Sequence, residues 1–175
     1  MSTNSVFIGD LANADGNDCL SFSGNKVAIN LPVVTGDRIK IPIKSTSVPT
    51  VGSSYVIDGN VDGRGRILIT TTGDWILSRM SADEPFSGDG EYWFTVLTDF
   101  TIETIGSRYT NSDFFIGIMC GFEVEGKHLY IQTGDFGSSN LVDHIGSIDG
   151  VIDSVDMWWK GKYQQSFATS ALYKS

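Results

Sequence analysis

Ala and Leu together supply only 15 of the 175 residues, whereas Val, Ile and Thr supply 44. The best helix formers are therefore scarce, and the β-branched residues that pack on a pleated sheet dominate. Glu is short as well, with 5 residues against 16 Asp. Asp suits turns and caps, where its short carboxylate reaches nearby backbone N–H groups, and Glu suits helices. Only 4 prolines accompany 20 glycines, so turns that need positive φ are expected to be common. These deficits exclude a helical bundle and point to strands joined by tight turns.

Positive charge is also scarce. Twelve Lys and Arg face 21 Asp and Glu, for a net charge of −9, and no block of basic residues forms a patch. A nucleic-acid binder needs a basic stripe to displace counterions, so no nucleic-acid partner is expected. Anionic membrane surfaces are disfavoured for the same reason. No apolar run approaches the roughly 18 residues of a membrane span. The opening MSTNSVFIGDLANADG has neither the basic start nor the apolar stretch of a signal or transit peptide. The two cysteines, Cys19 and Cys120, each sit in an apolar strand-like run far apart in sequence. Buried thiols are the expected state, with a disulfide as the alternative.

What is present is alternation. Lys26 to Leu31 puts Val27, Ile29 and Leu31 on one face, and Arg38 to Lys44 puts three isoleucines inward with basic residues outward. Pro42 lies on the outward side of the second run and lacks an N–H, which predicts an edge strand or a bulge. Further strand-like runs are 66–71, 75–79, 92–97, 100–105, 114–120 and 128–133. The run 114–120 is apolar on both faces and is expected to be a central strand. Gly/Asp-type turn signals separate the runs about every ten residues, a spacing typical of sandwiches and barrels. The expected fold is all-β: one domain over residues 1–175, a two-sheet antiparallel sandwich of jelly-roll-like form with at most one short helix. The segment 140–175 is left open, since 151–157 and 164–173 suit strand or helix.

Two segments resemble a known class. Cys19-Leu20-Ser21-Phe22-Ser23-Gly24, followed by Val27 and Leu31, resembles the opening strand pair of laminin-G or concanavalin-like sandwiches. Phe100-Thr101-Ile102-Glu103-Thr104 resembles the "FTIE" strand of that class, although Ile105 stands where the class has Trp. The resemblance implies a jelly-roll-like sandwich and carries no site with it.

Three groups of residues bear on chemistry. Asp58-Gly59-Asn60-Val61-Asp62-Gly63 matches the first half of a calcium loop, with Asp58, Asn60 and Asp62 as the oxygen donors. The closing Glu is replaced by Ile69, and Arg64 and Arg66 add positive charge. The alternative is a hairpin tip rich in turn formers. Glu123 and Glu125 fall on one strand face, about 6.6 Å apart by strand rise. Retaining glycosidases hold their pair near 5.5 Å. The pair also borders the Glu125-Gly126-Lys127 turn, where solvated charges are ordinary. Trp93, Trp158, Trp159 and Tyr163 are candidates to stack on a sugar or to anchor an interface. Adjacent strand residues face opposite ways, so one of Trp158 and Trp159 is expected to point outward. His128 and His144 lack the spacing of metal ligands, and neither cysteine has basic sequence neighbours.

Because each candidate reaction lacks a member its mechanism needs, the leading expectation is a non-enzymatic structural or interaction protein. It would be a repeated subunit of a phage or viral particle, partnered by copies of itself or other virion proteins. Its location would be the virion, or the cytoplasm before assembly. The second reading is a lectin-like carbohydrate-binding module, and the third a concanavalin-like glycoside hydrolase using Glu123 and Glu125. No cofactor is expected beyond the calcium alternative.

Overall fold

The computed structural model describes residues 18–59 and 64–159. They form two antiparallel sheets packed face to face, an all-β sandwich. Sheet A holds β1 (Cys19–Ser23), β3 (Arg38–Lys44), β7 (Met80–Ala82), β8 (Gly90–Val96), β10 (Ile116–Met119), β11 (Phe122–Val124), β12 (His128–Tyr130) and β15 (Trp158–Trp159). Sheet B holds β2 (Val27–Val33), β4 (Ser53–Gly59), β5 (Arg66–Thr70), β6 (Trp75–Ser78), β9 (Phe100–Ile105), β13 (Asn140–Leu141) and β14 (Gly150–Ile152). Sheet B runs in the order β13-β14-β2-β9-β4-β5-β6. The consecutive strands β1 and β2 belong to opposite sheets.

Alternation sets the faces. Val27, Ile29, Leu31 and Val33 of β2 are buried while Ala28, Asn30 and Pro32 are exposed. Ile39, Ile41 and Ile43 of β3 enter the same core, each contributing roughly 2 kcal/mol of burial. A slip of one residue would drive Arg38, Lys40 and Lys44 into that core, so the register is strongly specified. Trp75 of β6 reaches across to sheet A, meeting Phe86, Tyr92 and Phe94 edge-on with centroids 4.8 to 5.3 Å apart. Gly106 (φ +89°) ends β9 where any Cβ would run into the Phe22 ring, so the chain turns there only with glycine.

The edge position predicted from Pro42 does not hold. β3 is interior, with β8 along one side and β10 and β11 in succession along the other. The irregularity that Pro42 predicts falls on its partner instead. The ladder breaks between β10 and β11, at Cys120 and Gly121, where the Cys120 N–H donates to the Pro42 carbonyl (3.0 Å). The missing proline N–H thus faces a gap in the partner strand rather than solvent. The 114–120 run does supply a central strand, since β10 lies between β3 and β1. The loop 45–52 crosses from sheet A to sheet B. The ambiguous stretch 151–157 divides into the end of β14 and a 3-10 turn over Val155–Met157, capped by the Ser154 hydroxyl on the Asp156 N–H. Residues 164–173 lie outside the described residues.

Candidate functional site

One stretch of the outer face of sheet A is polar and built around Trp93. On β8, Tyr92 and Phe94 turn inward, so strand parity turns Trp93 outward, where it is half-buried. β3 runs antiparallel beside it and sets Lys40 opposite Trp93 and Arg38 opposite Thr95. On the far side of β3, Glu123 of β11 faces Lys40. The row Glu123, Lys40, Trp93 therefore crosses three adjacent strands. Lys40 Nζ lies 3.5 Å from Glu123 Oε1, 3.6 Å from Glu91 Oε2 and 5.7 Å from the Trp93 ring centroid. Arg38 places its guanidinium 5.1 Å from the same centroid and donates to both carboxylate oxygens of Asp83 at 2.9 and 2.8 Å. It also donates to Thr95 Oγ1 at 2.8 Å. This fork raises the Arg38 pKa and lowers that of Asp83, through their shared hydrogen bonds first and their charges second. The face is thus a fixed array of one indole, two cations and three carboxylates, suited to stacking and hydrogen bonding with a polar partner.

The other sequence candidates are scattered. Glu125 is exposed in the turn after β11, where its N–H donates to the Arg38 carbonyl (2.8 Å), while Glu123 is half-buried against Lys40. Trp158 offers no ring to a ligand: it is buried, and its indole N–H donates to the Ser138 carbonyl at 2.7 Å. Trp159, its neighbour, is the half-exposed member of the pair and packs on Cys19 and Cys120. Tyr163 lies outside the described residues, as do Asn60 and Asp62.

Asp58, the first donor of the calcium pattern, is fully buried and already engaged. Arg64 Nε and Nη2 donate to its two oxygens at 2.7 and 2.8 Å, and the Tyr109 N–H adds a bond of 2.8 Å. Arg64 itself lies between the rings of Tyr55 and Tyr109, at 5.4 and 4.9 Å. A cation at Asp58 would have to displace this guanidinium. Among the described residues, no group of three or more His, Cys, Asp or Glu is placed to hold a metal ion. No helix of the described residues is long and apolar enough to cross a membrane.

A second polar cluster escapes sequence reasoning. Asp143 has a fully buried carboxylate that accepts from His128 Nδ1 (2.6 Å) and from the N–H groups of Leu129, Ile145, Gly146 and Ile148 (2.8 to 3.2 Å). Burial pushes its pKa up, but the His128 bond and the backbone donors outweigh that and bring it down to about 2. His144 pairs in turn with Asp135 at 2.9 Å. Each histidine finds its carboxylate only through folding, so no short spacing announces either pair. Their role is to order the loop 142–149 against β12. Matched against family models, curated proteins and solved structures, the chain has no counterpart in any of the three.

Proposed function

We propose that this protein is a non-enzymatic structural or interaction protein that works as a repeated subunit of a phage or viral particle, such as a tail, fibre, baseplate or capsid-decoration component. The observation that carries the reading is where apolar side chains remain exposed. Ile76 of β6 is 45% exposed at one end of sheet B, and Val151 of β14 is 60% exposed near the other, with Val155, four residues on in the 3-10 turn, at 48%. These three stand on regular strands and a capped turn, whereas Val51, Leu97, Phe136 and Ile145 are exposed on loops. Two different apolar spots on one rigid sheet suit a heterologous contact, in which one end of a copy meets the opposite end of the next and builds a ring or a filament. A net charge of −9 limits non-specific association, leaving specific contacts to decide assembly. Sedimentation velocity of the wild-type chain beside Val151→Asp and Ile76→Asp tests this. The wild type is expected as an oligomer that each variant shifts toward monomer; an oligomer insensitive to both changes removes these ends from the contact.

The alternative reading, a lectin-like carbohydrate-binding module, is favoured by Trp93 alone, an outward indole beside polar side chains on a rigid strand. A glycan array with and without calcium tests it, with Trp93→Ala expected to abolish any binding. Binding that survives the substitution would contradict it.

A further inference from the structure

The strand register brings together two residues 101 positions apart in sequence. Leu20 of β1 lies opposite Met119 of β10, so one step along the antiparallel ladder Cys19 faces Cys120. Both thiols are buried, at 1% and 6% exposure, and their Sγ atoms are 2.8 Å apart. The Cys120 N–H is spent on Pro42 of β3, on the side away from β1. Cys19 and Cys120 therefore form a non-hydrogen-bonded pair, the kind in which facing side chains approach most closely. A disulfide needs about 2.05 Å between sulfurs, so closure asks for a movement of less than an ångström. Ile118 and Trp159 pack around the pair, and Trp159 stands opposite Cys19 on the other side of β1.

We propose that Cys19 and Cys120 are a modification site, a dithiol that closes into a cross-strand disulfide when the folded chain meets a small oxidising disulfide such as oxidised glutathione. The Cys120 thiolate attacks one glutathione sulfur, forming a mixed disulfide and expelling one glutathione thiolate. The Cys19 thiol loses its proton to solvent, attacks the Cys120 sulfur and expels the second glutathione. Two protein thiols are oxidised and one glutathione disulfide is reduced to two thiols, so electrons and hydrogens balance. Cys120 is the better first nucleophile because it is the less deeply buried residue of the two, 6% exposed against 1%. The hydrogen bond from Cys19 lowers its pKa against the opposing effect of burial, and Lys44 helps; Cys19 is raised by the same hydrogen bond and by its own burial. The bond would tie β1 to β10, one strand in from the β15 edge of sheet A, and close a long loop between residues 101 positions apart, which restricts the unfolded chain. It would form on passage from a reducing compartment to an oxidising one, which suits a particle that must outlast its host cell.

The test uses the full chain, folded, in excess oxidised glutathione at mildly alkaline pH. Intact mass is expected to fall by two hydrogens, and peptide mapping to join the Cys19 and Cys120 peptides. The melting temperature is expected to rise by roughly 10 °C over the reduced protein and to return with dithiothreitol. Cys19→Ser should retain one glutathione on Cys120, while Cys120→Ser should take up none. The mass and melting comparisons on the wild type stand even if a variant fails to fold. An unchanged mass with both thiols still titratable, a persistent mixed disulfide, or a crosslink without thermal gain would each overturn the proposal. Uptake on Cys120→Ser matching that on Cys19→Ser would overturn the route.

Discussion

The outer face of sheet A and the loop after β12 both set carboxylates against cationic or ring-nitrogen partners, yet the two regions use charge differently. On the face, the charges of Lys40, Glu91 and Glu123 stay partly in water, with Lys40–carboxylate distances of 3.5 and 3.6 Å. Solvent screens such pairs and side-chain entropy opposes them, so they add little stability and remain available to a partner. At the loop, the Asp143 carboxylate is fully removed from water and accepts four backbone N–H groups as well as His128. A charge so placed is costly unless every bond is made, so it dictates the loop's conformation. The contrast separates groups that hold the molecule together from groups free to recognise something else.

The largest effect is expected at the loop. Asp143→Ala leaves those amides and His128 without their acceptor and should cost about 3–5 kcal/mol in urea unfolding, with faster hydrogen exchange confined first to residues 143–149. Asp58→Ala should come next, at about 2–3 kcal/mol, because Arg64 would keep its place between two tyrosine rings without a counter-charge. Acid sharpens the contrast. The folded pKa of Asp143, about 2, lies below the ordinary 3.8, so its contribution is fully present above about pH 4 and is lost as pH falls toward 2. Asp143→Asn should flatten the stability-versus-pH curve across that window. The smallest effect belongs to the face. Lys40→Met should change stability by less than about 1 kcal/mol while shifting the emission of Trp93, which loses a cation 5.7 Å from its ring. A loss at Lys40 as large as at Asp143 would erase the distinction between the regions.

Much of the fold is legible in the sequence because strand faces repeat every two residues. β2 and β3 show it residue by residue, and the outward placement of Trp93 between buried Tyr92 and Phe94 follows from the same rule. Pro42 shows its limit: a missing N–H announces a gap in a ladder but does not say which strand yields, and here the partner yields. Trp158 and Trp159 were bound to differ in exposure, but which of them faces the core depends on β15 pairing with β1. The buried pairs are legible only in part: a Cys19–Cys120 disulfide stands as an alternative and Arg64 as a charge opposed to calcium, while the Asp143–His128 pair gives no signal. Cys19 meets Cys120, Asp143 meets His128 and Arg64 closes on Asp58 through register and loop geometry that no local spacing encodes. The Asp58 loop reads as a cation site only while Arg64 is imagined pointing away.

The proposed role as a repeated subunit stands or falls on the mass of the protein in solution. Light scattering on the 175-residue chain, coupled to size exclusion across a concentration series, should give a discrete multiple, two or more, of the 19.0 kDa chain mass. A monomer that persists at the highest concentrations would contradict it.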